Sequence, residues 1–317
     1  MKEIDISVII PYYNDSFFLK RTLDSVFKQT LKASEIILVD DCSQDSSKAI
    51  EIINSYASEL RNQIRYYRNE KNMNGSYSRN YGIKNAKYDY IALLDADDYW
   101  GETHLEVCAK EIKRTNADFI FSNYLFKDIK GAVYKNKVTD IEKINNPNDI
   151  LFYNPPQTNS FFIKKSSIIQ TNLYFNEELK RHQDWQYLID VINSKVKYVY
   201  LDEYTTYYCQ PTRSILSLEG YHSIFKFWDI NYNKFSKKMV LKFIQKIILI
   251  ACLSHGYNLV YSNFSKYKVF QLVEKNRFFT LFIKSFFMKN KNIAKILYFI
   301  FFNFKGGVDY VKFRLLK

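Results

Sequence analysis

Residues Tyr90-Ile91-Ala92-Leu93-Leu94-Asp95-Ala96-Asp97-Asp98 constrain this chain more than any other stretch. An apolar run of this length reads as a buried strand, so its three acids must emerge at the carboxyl end. Three carboxylates held close repel one another in a low dielectric unless a cation or a proton offsets them. Hard oxygen ligands suit Mg²⁺ or Mn²⁺, and Mg²⁺ commonly binds through one or two carboxylates together with phosphate oxygens of a substrate. The residues themselves therefore point to a divalent-metal site holding a phosphorylated ligand. The plainer alternative is an acidic strand-to-helix turn in which Asp97 or Asp98 caps the next helix.

The surrounding chain supplies a frame for that strand. Ile6–Ile10 is an apolar strand stopped by Pro11-Tyr12-Tyr13-Asn14-Asp15, and Phe18–Gln29 has helical spacing with Leu19, Leu23, Val26 and Phe27 on one face. Glu35–Val39 forms a second strand, ending in Asp40-Asp41, and Ser43 is placed to cap a helix running to about Ser58. Strands follow at Ile64–Tyr67 and Phe119–Phe126, and helices at Ser76–Asn85 and Leu105–Arg114. A loop-rich stretch over 127–160 leads to a strand at Ser160–Ile163, short strands at Val196–Leu201 and Thr205–Cys209, and an amphipathic helix over Trp185–Ile192. This alternation predicts an α/β fold with a mainly parallel sheet flanked by helices. Ligands of such sheets sit outside the carboxyl ends of the strands, where Pro11-Tyr12, Asp40-Asp41 and Asp95–Asp97 all fall. No glycine-rich dinucleotide fingerprint follows the first strand, and no Walker-type phosphate loop occurs anywhere.

Charge divides the chain. Residues 220–317 hold 18 of the 46 Lys/Arg but only 3 of the 33 Asp/Glu, a local net charge of +15. Charge thus sets a basic, aromatic-rich helical region over 220–317 apart from a domain over 1–219, whose halves, 1–126 and 127–219, take nucleotide-binding and acceptor-binding roles in a catalytic domain only through the resemblance given below. The basic region reads either as a helical cap or as an interfacial surface, with aromatics in the headgroup zone and lysines on anionic lipid. Met239–Leu253 is its clearest helix, with Lys242 and Lys246 one turn apart on one face. No apolar run is a good spanning helix. Four scattered cysteines without a CxxC argue against a zinc site or a disulfide framework, and the start of the chain carries no secretory signal. The expected location is cytoplasmic, peripheral at the inner face of the membrane.

Five segments occur in order that together resemble the GT-A fold, family 2 inverting glycosyltransferases: Ser7-Val8-Ile9-Ile10-Pro11-Tyr12-Tyr13-Asn14, Leu38-Val39-Asp40-Asp41-Cys42-Ser43, Asn74-Gly75 through Arg79-Asn80-Tyr81-Gly82-Ile83, Leu94-Asp95-Ala96-Asp97-Asp98, and Gln183-Asp184-Trp185. The match covers roughly the first two-thirds of the chain. The resemblance implies that Pro11 and its neighbour Tyr12 line a nucleotide base pocket and that Asp41 accepts from the base. It sets Arg79 near the nucleotide, Asp95 at the ribose or a metal-bound water with Ala96 beside it, and Asp97 on a Mn²⁺ or Mg²⁺ that bridges the diphosphate. Asp184 becomes the general base for the acceptor hydroxyl. The family usually has Glu-Asp at the last motif, where this chain has Gln183-Asp184.

The implied function is inverting transfer of a sugar from a nucleotide diphosphate donor, UDP by family habit, to a glycan or polyprenyl-diphosphate-linked acceptor in bacterial capsule, O-antigen or lipooligosaccharide synthesis. Structural readings compete at several positions: Asp40 as a turn closure, Asp98 as a loop peg, Asp184 as a helix cap, and Trp100 and Trp185 as core, against sugar contacts for the two tryptophans. A different class, a nucleic-acid-binding protein using the basic C-terminal region, leaves the acidic crevice unexplained, because carboxylates without metal repel phosphate. No nucleic-acid partner is expected. A nucleotidyltransferase would need a glycine- and lysine-bearing loop where Pro11-Tyr12-Tyr13-Asn14 stands.

Overall fold

The computed structural model describes residues 4–210 and 216–274. The elements in chain order are β1 (Ile6–Tyr12), α1 (Ser16–Phe27), β2 (Glu35–Asp40), α2 (Ser46–Asn54), α3 (Ser58–Arg61), β3 (Ile64–Arg68), α4 (Gly75–Asn85), β4 (Tyr90–Leu93), β5 (Tyr99–Trp100), α5 (His104–Thr115), β6 (Phe119–Ser122), β7 (Tyr124–Lys127), β8 (Val133–Asn136), β9 (Phe162–Lys164), α6 (Lys165–Thr171), α7 (Gln183–Ile192), β10 (Tyr198–Leu201) and β11 (Thr206–Cys209). Helices α8 (Leu218–Asn231), α9 (Lys237–His255), α10 (Tyr257–Phe264) and α11 (Lys268–Glu274) follow.

Seven strands form the central sheet in the order β10-β6-β9-β4-β1-β2-β3. All neighbours are parallel except β9, which runs antiparallel to β4 and β6. From β1 the chain winds outward through β2 and β3, then crosses back to lay β4 on the other side of β1. The order therefore reverses between β1 and β4, and their carboxyl ends border the crevice where ligands bind in open parallel sheets. The central strands are apolar because both faces are covered: every residue of β2 is buried, and Ile6, Val8, Ile9 and Ile10 of β1 are fully inaccessible. Gly82 lets α4 lie close on β1, since a Cβ there would stand 2.4 Å from Cγ2 of Ile9.

Pro11 does not end β1, contrary to expectation. The Ile9 carbonyl faces β4, accepting from the Leu94 N–H, so the amide side of residue 11 faces the same way. The last β1–β4 pair is Ile9 with Leu93, and β4 has ended at that level, so no partner misses the N–H that proline lacks. On the other side the strand continues, with Tyr12 beside Asp40. The strand expected over Phe119–Phe126 is likewise two strands. It breaks at Asn123, whose buried amide donates to Asp202 (2.7 Å) and accepts from the Val138 N–H (2.8 Å) and the Tyr200 hydroxyl (2.8 Å). Beyond that corner, β7 leaves for a second sheet ordered β5-β11-β7-β8.

The described residues divide into two compact units, 4–140 with 156–210, and 141–155 with 216–274. Both sheets lie in the first. A single cut after 219 misses that 141–155 belongs with the C-terminal helices: Phe152 stacks on Trp228 (5.5 Å between ring centres) and meets Phe235 and Phe243 edge-on. Helix α9 is buried from Ile247 to Cys252, the signature of a core helix. Lys242 is exposed but Lys246 is buried, so the two do not share a solvent-facing lysine face. No described helix is long and apolar enough to cross a membrane. The part of the basic region expected on a lipid surface that follows residue 274, with ten of its Lys/Arg, lies outside the described residues.

His104 opens α5 fully buried, its ring 4.6 Å from that of Trp100 and its Nδ1 2.8 Å from Oγ1 of Thr205. Burial pulls its pKa down to about 3. The folded pKa lies below the unfolded value, so this contribution to stability is complete above about pH 6.5 and is lost as pH falls toward 3. Between pH 7 and pH 5 the unfolding free energy of the wild type should fall about 2 kcal/mol more than that of His104→Gln in urea titrations. Equal falls would contradict a neutral, buried imidazole.

Candidate active site

Strand β4 ends in a tight turn closed by the Asp98 N–H on the Asp95 carbonyl (3.0 Å). The turn sends its acids to different places. Asp98 points inward, 1 % exposed, and its carboxylate accepts from the Cys209 N–H (2.7 Å) and the Asn159 amide (3.0 Å). Burial, with the charges of Asp97 and Asp95 behind it, pushes the Asp98 pKa well up. Asp98 therefore pegs β11 and the 158–160 turn to the site rather than capping a helix. Asp95 and Asp97 stay half-exposed.

Arg79, 8 % exposed on α4, donates through Nη2 to Asp95 Oδ1 (2.5 Å) and through Nη1 to Gln183 Oε1 (3.1 Å). One guanidinium thus joins the end of β4 to the first residue of α7. Gln183 also donates from Nε2 to the Leu179 carbonyl (2.6 Å). A glutamate could take the arginine but could not make that donation, which gives the Gln183 departure a local reason. The same helix holds the approach to α7 at two more points. Asn80 makes both backbone bonds of Phe175 (2.8 and 2.9 Å) and also donates to Glu177 (2.8 Å). Asn74 caps α4 from a left-handed conformation, accepting from the Ser76 and Tyr77 N–H groups, and its Nδ2 donates to the Glu177 carbonyl (2.7 Å). Gly75-to-Ile83 was legible as a motif, but the roles of Asn74, Asn80 and Gln183 depend on partners about a hundred residues away.

Asp184 lies half-buried in the first turn of α7. It is not the helix cap, because the helix starts at Gln183 and His182, at φ 60°, holds the cap position. Trp185 is 9 % exposed and stacks on the His182 ring (4.1 Å), so its indole is used in packing. Trp100 is core as well, 3 % exposed with its indole N–H on the Asn159 carbonyl (2.8 Å).

On the β1–β2 side, Pro11 is half-buried at the strand end, whereas Tyr12 is buried with its hydroxyl on Asp45 (2.6 Å). Asp40 is fully buried and accepts from the Ser43 N–H, the Ser46 hydroxyl and the Tyr66 hydroxyl. Ser43 does not cap α2: the cap position is Asp45, and the Ser43 hydroxyl accepts from the Asn14 N–H (3.0 Å). Asp41, 3 % exposed, accepts from the Met73 and Asn74 N–H groups (2.7 Å each) and the Asn69 amide (2.8 Å). It thereby fixes the loop that delivers α4. Ala96 is buried between the two half-exposed acids.

Asp95 and Asp97 form a hard-oxygen donor pair, with one Asp95 oxygen held by Arg79. Among the described residues no three His, Cys, Asp or Glu side chains group into a metal cage. The pair fits a Mg²⁺ or Mn²⁺ completed by ligand phosphate oxygens, not one held by protein groups alone. A double-mutant cycle on Arg79→Lys and Gln183→Ala, followed by urea unfolding, should give a coupling of about 0.5–3 kcal/mol. Strict additivity would contradict the bridge between β4 and α7.

Comparison with known proteins bears on this geometry. The "Glycosyl transferase family 2" sequence model matches residues 7–180. The amylovoran biosynthesis glycosyltransferase AmsB of Erwinia amylovora is 32% identical over 221 residues, 67% of this chain and 72% of that protein. The poly(ribitol-phosphate) beta-N-acetylglucosaminyltransferase TarP of Staphylococcus aureus is 30% identical, over 64% of this chain and 62% of that protein. Among solved structures, S. aureus TarS 1-349 in complex with UDP superposes with a TM-score of 0.54 at 19% identity, covering 86% of this chain and 91% of that one. The chain shares the GT-A arrangement of that structure, and with the sequence match this makes it a member of glycosyltransferase family 2, a transferase enzyme.

Proposed function

We propose that this chain moves a sugar from a nucleotide diphosphate donor, a UDP-sugar, onto a hydroxyl of a glycan or polyprenyl-diphosphate-linked acceptor, building a bacterial surface polysaccharide. The observation that carries the reading is the Arg79 bridge, which ties the donor-side acids of β4 to the helix start that bears Asp184. The names of relatives support the rest. AmsB is a biosynthetic glycosyltransferase for amylovoran, TarP transfers N-acetylglucosamine to poly(ribitol-phosphate), and TarS was crystallised with UDP and with UDP-GlcNAc.

The chemistry suits these residue types. The Asp184 carboxylate takes the proton of the acceptor hydroxyl as that oxygen bonds to the anomeric carbon. The bond from that carbon to the diphosphate breaks, the nucleoside diphosphate leaves, and a single displacement inverts the centre. Asp97, with Asp95, would hold a Mn²⁺ or Mg²⁺, which supplies charge neutralisation at the departing diphosphate. Arg79 keeps Asp95 oriented, and Pro11 and Asp41 border the base. The positive charge of 220–317 supports an acceptor presented on an anionic membrane surface, with the enzyme peripheral at its cytoplasmic face.

Purified protein offered UDP-, GDP- and dTDP-sugars with Mn²⁺ should release nucleoside diphosphate from one donor, and chelation should stop release. Asp184→Asn should lower kcat about 10²–10⁴-fold with little change in donor KM, and Asp97→Ala should abolish metal-dependent release. Turnover that survives Asp97→Ala unchanged, or no turnover of any donor, would contradict the reading.

A further inference from the structure

Helix α1 and the residues just past its end carry a polar stripe on the buried side: Thr22, Ser25 and, two residues beyond the helix, Gln29 are each less than a tenth exposed. Burying hydroxyls and an amide is costly unless every one is bonded. Each of them is bonded to a carbonyl of the helix, those of Phe18, Thr22 and Ser25 in turn, and each also reaches the backbone that runs from the acidic turn into α5. Thr22 Oγ1 lies 2.7 Å from the carbonyl oxygens of both Ala96 and Asp98 and shares its single proton between them. Ser25 Oγ accepts from the Trp100 N–H (3.2 Å). Gln29 donates to the Gly101 carbonyl (2.8 Å) and accepts from the Leu105 N–H (2.9 Å). Next to Thr22, Arg21 donates from Nη2 to the Asp97 carbonyl, with its guanidinium 4.8 Å from the centre of the Tyr99 ring and 5.2 Å from that of Phe18.

All three consecutive carbonyls of the acidic turn, at 96, 97 and 98, are therefore held by two adjacent side chains of α1. A peptide plane whose carbonyl is fixed cannot rotate, and the direction of the intervening Cα–Cβ bond is fixed with it. The direction in which the Asp97 side chain leaves the backbone is then set from α1. We propose that Thr22 and Arg21 are positioning residues for donor binding, setting the Asp97 carboxylate through the backbone of the turn. The inference rests on the donor-site reading above. Preorganised charge matters most where it meets a ligand's charge, and a displacement of about 1 Å can cost about 100-fold in rate.

The test uses UDP alone as the probe, titrated calorimetrically with Mn²⁺ present. Wild type should bind. Thr22→Val, which keeps the shape and removes the proton, should weaken UDP binding about 10-fold or more, and Thr22→Ser should restore it to within about threefold. Arg21→Gln provides a second variant should Thr22→Val fold poorly, and it too should weaken binding. Ile53→Ala, a core truncation on α2, should lower Tm without moving the UDP Kd, which separates positioning from general destabilisation. Amide exchange at Asp98, measured without ligand, should speed up in Thr22→Val and not in Ile53→Ala. Unchanged UDP affinity in both Thr22→Val and Arg21→Gln, with wild type binding, would overturn the positioning role and leave the donor site intact. Failure of Thr22→Ser to restore affinity would also overturn it. Absence of UDP binding by the wild type would remove the donor site itself, and the positioning role with it.

Discussion

A buried arginine keeps its charge and must be paired, and Arg79 finds its two partners 16 and 104 residues away in sequence. Asp95 neutralises it from the end of β4, and Gln183 accepts its second arm from the start of α7. Breaking either contact would leave a desolvated cation, a far larger cost than the net value of one hydrogen bond. Because α4 also fixes Phe175 and Glu177 through Asn80, the segment entering α7 cannot shift without disturbing both. The position of Asp184 relative to the acidic turn follows from this set of bonds.

Acids at the ends of β2 and β4 organise the loops around the site, both of them buried at β2 and only Asp98 buried at β4. At β2, Asp40 is fully buried and gathers Ser43, Ser46 and Tyr66, while Asp41 holds the loop ahead of α4. At β4, Asp98 is buried and gathers Cys209 and Asn159, while Asp95 and Asp97 remain accessible. A carboxylate can accept several N–H or O–H bonds at once, so it serves well to draw distant loops onto a strand end. The inward acids shape the crevice in which the outward ones can act.

What was legible in the sequence follows from the range of each interaction. The strands of β1, β2 and β4 and helices α4 and α7 showed in local patterns of hydrophobicity and turn residues, and the five acids Asp40, Asp41, Asp95, Asp97 and Asp98 stood out at strand ends. The corner at Asn123 did not, because an asparagine in an apolar run looks like a blemish until Val138, Tyr200 and Asp202 supply its partners. Pro11 misled for a related reason: whether a missing N–H matters depends on where β4 stops. Tyr12 reads as lining a base pocket and Trp185 as either core or a sugar contact; burial, with the Tyr12 hydroxyl on Asp45 and the Trp185 ring stacked on His182, uses both inside the fold. Thr22, Ser25 and Gln29 drew no attention because their spacing fits the same helical face as the apolar residues around them. The grouping of 141–155 with the C-terminal helices rests on aromatic contacts such as Phe152 with Trp228, which no local pattern encodes.

The most direct test of the account is a crystal grown with UDP and Mn²⁺ and measured at the manganese absorption edge. The account predicts an anomalous peak within coordination distance of an Asp97 oxygen, with the diphosphate on the peak and the uracil beside Pro11 and Asp41. A nucleotide bound away from the carboxyl ends of β1 and β4, or a manganese peak distant from Asp97, would contradict it.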